Sequence, residues 1–290
     1  MLLILKTRAS LRKYLDTKKQ KGKQIGFVPT MGALHAGHLR LVSTSHQAGL
    51  FTVCSIFVNP TQFNDKKDFE KYPKTIEHDI RLLEEAGCDL LFLPGVEELY
   101  PDGLQQLETY PLGRLEEVYE GKYRPGHFQG VSQVMRRLLE SVQPDELFMG
   151  QKDYQQCMVV KKLIELLGMS IRFTAIPTVR EDSGLAMSSR NLRLTEDNRS
   201  KASLVHAALE KLCSGLQEGE LSDRLKSARQ ELSNEGFLID YIDLADAANL
   251  EPVSVWNGKT PLVALAAVYL QEVRLIDNIL ACSPQGRQND

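Results

Sequence analysis

Apolar residues follow two different rhythms along this chain. In the first 180 or so positions, short near-continuous apolar or β-branched runs occur at 25–29, 52–58, 89–93, 146–149 and 171–179. Helical spacing fills the intervals: His38 to Ala48 with Leu39, Leu41 and Val42 apolar, Thr75 to Ala86 before Gly87, Gln129 to Ser141, and Tyr154 to Leu167 before Gly168. A glycine just past a helical pattern suits the left-handed residue that ends a helix. Strands that are apolar throughout and alternate with helices predict a parallel sheet covered on both faces. Such sheets bind ligands at the carboxyl ends of their strands. Pro29-Thr30, Asn59-Pro60 and Gly150-Gln151 each follow a strand, so the pattern gathers them on one edge.

Beyond about residue 180 the rhythm changes. Two helical patterns, 195–218 and 221–235, precede strand-like runs at 238–244, 261–270 and 272–281. Ile239 and Tyr241 alternate with Asp240 and Asp243, as in a half-exposed strand. Strands in succession without helices between them predict a small antiparallel sheet. The predicted fold is therefore α/β: a Rossmann-like doubly wound parallel sheet with a smaller C-terminal α+β domain. The division falls at 1–180 and 181–290, with the junction near 179–186. The tail from Ser283 is expected to fray.

Composition narrows the function classes. The 290 residues are 42% hydrophobic, enough for a full core and two domains. Lys and Arg number 35 against 38 Asp and Glu, so the net charge of -3 calls for neither nucleic acid nor an anionic membrane. The apolar start, Met1 to Leu5, is too short for a signal core, and the apolar stretch from Leu262 to Leu270 is far below a membrane span. Cysteines 54, 88, 157, 213 and 282 are scattered, without a C-x-x-C pair, which points to reduced thiols in a cytoplasm. The sequon at Asn198 then carries no meaning.

The richest segment is Pro29-Thr30-Met31-Gly32-Ala33-Leu34-His35-Ala36-Gly37-His38, directly after the run Ile25 to Val28. It reads as a strand, a glycine turn and a helix with two histidines in its first turn. His35 and His38 are three apart and share a helix face. Gly37 lets a ligand approach the backbone. A helix N-terminus with free N–H groups and paired imidazoles suits a phosphate. No Gly-Lys-Ser/Thr follows, and Gly32 and Gly37 lack the spacing of a dinucleotide fingerprint. A zinc site at the histidine pair lacks a third ligand at suitable spacing.

Three further clusters fall on the same expected edge. In Asn59-Pro60-Thr61-Gln62 a strand delivers a neutral amide that both donates and accepts. In Gly150-Gln151-Lys152-Asp153-Tyr154-Gln155-Gln156, Asp153 is a candidate helix cap, Lys152 a phosphate contact and Gln156 a substrate contact. Val179 to Asn191 holds Met187-Ser188-Ser189-Arg190, hydroxyls and a guanidinium suited to a polyphosphate, on a junction that could close as a lid. Taken singly each is ordinary loop chemistry; their joint occurrence with the histidine segment is the signal. Arg124, in the Gly/Pro loop Tyr123 to Phe128, is a further candidate. His46, His78, His127 and His206 read as helix-face or surface residues.

These motifs, with Phe57-Val58-Asn59-Pro60 and Tyr123-Arg124-Pro125-Gly126-His127-Phe128, closely resemble the pantothenate synthetase (pantoate–β-alanine ligase) family in order and spacing over nearly the whole chain. The wider class holds nucleotidylyltransferases and class I aminoacyl-tRNA synthetases, whose two signatures are echoed by His35–His38 and Met187–Arg190. The resemblance implies a cytoplasmic, typically dimeric ligase using ATP and Mg²⁺. It implies ATP contacts from Met31, Gly32, Ala33, Leu34, His35, Ala36, Gly37, His38, Gly150, Gln151, Lys152, Asp153, Val179, Met187, Ser188, Ser189 and Arg190. It implies that Gln62 meets pantoate and β-alanine, that Gln156 meets pantoate, and that His38 is the catalytic histidine. His35, His38, Lys152 and Arg190 are assigned to the developing phosphate charge; the Mg²⁺ ligands stay open. The alternatives are a nucleotidylyltransferase of another small-molecule pathway, an ATP-grasp-like ligase releasing ADP, and a nucleotide sensor without turnover. A tRNA ligase is disfavoured, because no basic stripe or anticodon module is evident.

Overall fold

A computed structural model describes residues 2–64, 69–105 and 107–281. The chain divides into two compact units, Met1–Gln151 with Gln155–Pro177, and Lys152–Tyr154 with Thr178–Asp290.

In the first unit the elements run β1 (Leu3–Leu5), α1 (Arg8–Gln20), β2 (Ile25–Thr30), α2 (Ala36–Gln47), β3 (Phe51–Ile56), α3 (Ile76–Glu85), β4 (Leu90–Phe92), the short α4 (Val96–Leu99) and α5 (Tyr119–Tyr123), α6 (His127–Val142), β5 (Glu146–Gly150), α7 (Tyr154–Leu166) and β6 (Arg172–Ile176). The strands form one parallel sheet in the order β1-β4-β3-β2-β5-β6. Successive strand residues face opposite sides, and the two packed cores show it. Phe27, Val53, Leu90 and Leu147 join Leu11 and Leu15 of α1 and the apolar stripes of α6 and α7. Their neighbours Val28, Cys54, Leu91 and Phe148 join Leu41 and Val42 of α2 and Leu83 of α3. The sheet is thus a Rossmann-like doubly wound one, as the apolar rhythm predicted.

β1 and α1 have little sequence signal: β1 is three residues long, and the buried positions of α1 are only Leu11 and Leu15 among charged neighbours. Thr7 starts α1 by accepting a hydrogen bond from the Ser10 N–H.

The strand order reverses between β2 and β5. β2 pairs with β3 along all of Ile25–Thr30, but with β5 only at Gly26↔Glu146 and Phe27↔Leu147. From Val28 and Phe148 onward these two strands are no longer paired. A crevice therefore opens at the carboxyl ends, where doubly wound sheets bind ligands.

The second unit contains α8 (Glu196–Ala202), α9 (Leu204–Cys213), β7 (Gly219–Glu220), α10 (Ser222–Asn234), β8 (Leu238–Asp246), β9 (Val255–Trp256), β10 (Leu262–Leu270) and β11 (Val273–Ala281). β11-β10-β8 form an antiparallel sheet, and β7 pairs with β9. Its core packs Val205, Leu209 and Leu212 of α9 and Leu225 and Leu232 of α10 on Ile242, Leu244, Ala264, Ala266 and Leu275. The expected helix 195–218 is two helices that part at Ser203, whose hydroxyl donates to the Ser200 carbonyl. The tail from Ser283, and Cys282 before it, lie outside the described residues.

Candidate active site

β2 ends at Thr30, and the chain turns at once through left-handed Gly32 (φ +80°) and Ala33 (φ 49°). Glycine is required at 32: a Cβ there would lie 3.0 Å from Ile56 Cγ2 and 3.1 Å from Asp79 Oδ2. The turn is held from below by Asp79, a fully buried carboxylate on α3. Its two oxygens accept the N–H groups of Ala33 (3.0 Å) and Leu34 (2.9 Å), and Thr75 donates its hydroxyl to Oδ1 (3.1 Å). Asp79 escapes sequence reading because it looks like one more acidic residue in the first turn of a helix.

His35 is the N-cap of α2 and not a residue of its first turn. The Gly37 N–H donates to His35 Nδ1 (3.2 Å), and the His35 N–H donates to His38 Nδ1 (3.4 Å). The rings lie 4.0 Å apart at 32°. A nitrogen that accepts an N–H carries no proton itself, so each neutral ring holds its proton on Nε2. Both rings are half-buried. The Gly32 N–H donates to Thr30 Oγ1. The amides of Gly32, Ala33, Leu34 and His35, ahead of α2, and that of Gly37 within it thus all have internal acceptors.

β3 delivers Gln62 through the short turn Pro60–Gln62. Gln62 Nε2 reaches Met31 Sδ (3.4 Å), which joins the second motif to the first. Its Oε1 accepts from Asn59 Nδ2 (3.1 Å), and Asn59 Nδ2 also donates to the Gly130 carbonyl. Tyr100 donates to Asn59 Oδ1 (2.8 Å), and burial pushes its phenol above the ordinary range, keeping it a donor. Gly130 is tight here: a Cβ would lie 2.3 Å from the Thr61 carbonyl oxygen. His127, expected on a helix face or a surface, is the first residue of α6 and is buried, with Nδ1 2.8 Å from the Gln62 carbonyl. Position 127 opens α6 beneath the Gln62 turn, a tertiary relation that no local pattern carries.

Arg124 pairs with Glu120 (3.3 Å), itself largely buried. Gly150 ends β5 and Gln151 follows it, and Gln156 is half-buried on α7. Its neighbour Gln155 is buried and bonded to Leu115, Val118 and Glu120 backbone groups, so the two glutamines have different surroundings.

The remaining candidates belong to the second unit. Lys152 and Asp153 lie in the short turn Gln151–Asp153. Val179 to Met187 forms a small hairpin. The Met187 N–H donates to the Val179 carbonyl (2.9 Å), Arg180 bridges Ala186, and Gly184 (φ +90°) makes the turn. Ser188 caps the turn Ser189–Arg193, its Oγ accepting from the Arg190 N–H (3.2 Å). Asn191 is buried and donates to Glu181 and to the Ala186 carbonyl. Glu181, held by Arg199, titrates below the usual carboxylate range. Met187 thus closes a bonded hairpin, and Ser188, Ser189 and Arg190 follow it at the start of the capped turn.

Among the described residues no three His, Cys, Asp or Glu side chains gather as a metal site, and no helix is long and apolar enough to cross a membrane.

The pantoate-beta-alanine ligase family model matches residues 3–280. This chain belongs to that ligase family. It is 42% identical to the pantothenate synthetase of Azobacteroides pseudotrichonymphae genomovar. CFP2 over 95% of this chain and 99% of that one. It is 43% identical to that of Stutzerimonas stutzeri (strain A1501) over 96% and 97%. Among solved structures, the enzyme of Thermus thermophilus superposes with a TM-score of 0.87 at 40% identity, covering 96% of this chain and 99% of that one. The ligase of Francisella tularensis, solved with beta-gamma ATP and beta-alanine, superposes with a TM-score of 0.81 at 33% identity, covering 97% and 98%. The fold of these solved structures is thereby this chain's fold over about 96% of its length.

Proposed function

We propose that this ligase condenses (R)-pantoate with β-alanine, consuming ATP and releasing AMP and pyrophosphate. The observation that carries the reading is the close, tilted His35–His38 pair just beyond the carboxyl end of β2, with backbone N–H groups on both Nδ1 atoms leaving Nε2–H as the donor of each neutral ring. Family membership over residues 3–280 supports it.

A carboxylate is a poor acyl donor, since oxide would have to leave. Attack of the pantoate carboxylate on the α-phosphorus, with departure of pyrophosphate, turns it into a mixed anhydride. β-Alanine nitrogen then attacks that carbonyl and AMP leaves. Two anions must meet, so oriented donors and cations lower the barrier. His35, His38, Lys152 and Arg190 serve the phosphate charge. Met31 to Gly37, Gly150, Gln151, Asp153, Val179 and Met187 line the nucleotide, and Ser188 and Ser189 give hydroxyls to it. Gln62 holds pantoate and then β-alanine, and Gln156 holds pantoate. Mg²⁺ would accompany the nucleotide and offset part of its phosphate charge, as it commonly does in sites of this kind.

The same proposal takes 1–180 as the nucleotide- and pantoate-binding domain, 181–290 as the lid domain, and the working form as a cytoplasmic homodimer. Product analysis tests it. AMP with pantothenate in equal amounts is the expected result. ADP would mean an acyl phosphate, and a nucleotide left on the product would mean transfer of the nucleotidyl group.

A further inference from the structure

β11 carries two polar side chains in succession, Asp277 and Asn278, 5% and 2% exposed, amid Leu275, Ile276 and Ile279. Successive strand residues face opposite sides, and each of these fastens a different segment. Asn278 Nδ2 donates to the backbone carbonyl of Lys152 (2.8 Å), 126 positions earlier. Asp277 accepts hydrogen bonds from the two terminal guanidinium nitrogens of Arg180 (2.7 and 3.0 Å). Arg180 in turn reaches the Gly184 carbonyl (3.1 Å) and bridges Ala186, so it fixes the hairpin that leads into Met187–Arg190. A second bond, from the Tyr154 hydroxyl to the Ala247 carbonyl (2.7 Å), ties down the residue two after Lys152.

Lys152 thus stands on a three-residue turn whose backbone is held by a buried amide. A lysine is a point charge on a flexible stem, so its aim depends on where its backbone is fixed. We infer that Asn278 is a positioning residue for Lys152, setting the backbone from which that ammonium reaches the nucleotide phosphates. The inference rests on the reading above that Lys152 serves those phosphates. Asp277 plays the matching part for the Arg180 hairpin.

A double-mutant cycle on full-length protein tests this, read as ATP affinity by calorimetry with pantoate-dependent pyrophosphate exchange measured alongside. Lys152→Ala should weaken ATP by about tenfold and Asn278→Ala by roughly threefold to tenfold, while Asn278→Ala in the Lys152→Ala background should add nothing. Asn278→Leu, close in size but without a donor, should match Asn278→Ala and keeps the cycle readable where the smaller variant folds poorly. Equal effects of Asn278→Ala in both backgrounds, or an effect of Asn278→Ala with none from Lys152→Ala, would overturn the inference and leave Asn278 a core residue. Wild-type protein that binds ATP without exchange would remove the adenylation reading, and the affinity cycle would still decide the part played by Asn278.

Discussion

The His35 and His38 rings lie tilted against each other with centroids 4.0 Å apart, and each Nδ1 accepts a backbone N–H of the turn that starts α2. One pair of hydrogen bonds caps the helix and selects the neutral tautomer whose proton is on Nε2 in each ring. Replacing one oriented donor of this kind typically costs about 100- to 1000-fold in turnover. His38→Ala should lose at least that in the adenylation half-reaction, with the melting temperature changed little more than for loss of a cap. Nitrogen chemical shifts of the free protein near neutral pH should show both imidazoles protonated at Nε2. Turnover close to wild type in His38→Ala would take His38 out of the chemistry.

Asp79 holds the amides of Ala33 and Leu34 with two oxygens. Asparagine has one acceptor oxygen, so Asp79→Asn leaves a buried N–H unsatisfied, at a cost of about 1–3 kcal/mol. Because the strained turn sets His35, the same variant should lose turnover as well as melting temperature. Gly32→Ala should do likewise, its Cβ meeting Ile56 and Asp79 in a left-handed backbone. Thermal melting and exchange rates measured together check both.

The Gln62 amide is set through Asn59 by the Tyr100 hydroxyl. Tyr100→Phe keeps the ring and removes only that donor. The expected result is a kcat/KM for pantoate reduced by roughly threefold to tenfold, on the order of one buried hydrogen bond, with the KM for ATP unchanged. Equal losses toward both substrates would show that Tyr100 supports the fold and not Gln62.

The Tyr100 ring has a second neighbour. The Arg137 guanidinium lies 4.6 Å from its centre and forks onto Glu108 (2.5 and 3.0 Å). Burial acts to raise the Glu108 carboxyl, but hydrogen bonds from Arg137, its own backbone and Tyr110 outweigh it and bring it down to about 2. A carboxyl lowered on folding contributes stability that is complete above its unfolded value, 4.5, and disappears as pH falls through about 2. Glu108→Gln should therefore lower the melting temperature at pH 7 and flatten its fall between those pH values. Melting curves across that range give the answer, and a Glu108→Gln profile parallel to wild type would contradict it.

What the sequence made legible, and what it did not, divides by the range of the interaction. The apolar rhythm located β2, β3, β5, α2, α6 and α7, because a doubly covered sheet needs unbroken apolar strands and helices need one apolar stripe. It missed α1, whose stripe is Leu11 and Leu15 alone, and β1, three residues long. The motif residues stood out by type: two histidines, a glutamine, a lysine and a Ser-Ser-Arg run. Their supports did not. Asp79, Tyr100, His127 and Asn278 act on residues 41 to 126 positions away, and their own local context is that of ordinary helix, loop or strand. The bonds that occupy the amides of Ala33 and Leu34, just before α2, were hidden for the same reason, since their acceptor is a carboxylate on another helix.

Pantoate-dependent exchange of labelled pyrophosphate into ATP, run without β-alanine, tests the central claim most directly. Adenylation before amide formation requires the label to enter ATP at a rate near that of pantothenate synthesis, and requires pantoate for it. Exchange that appears only when β-alanine is added, or that proceeds without pantoate, would contradict the account.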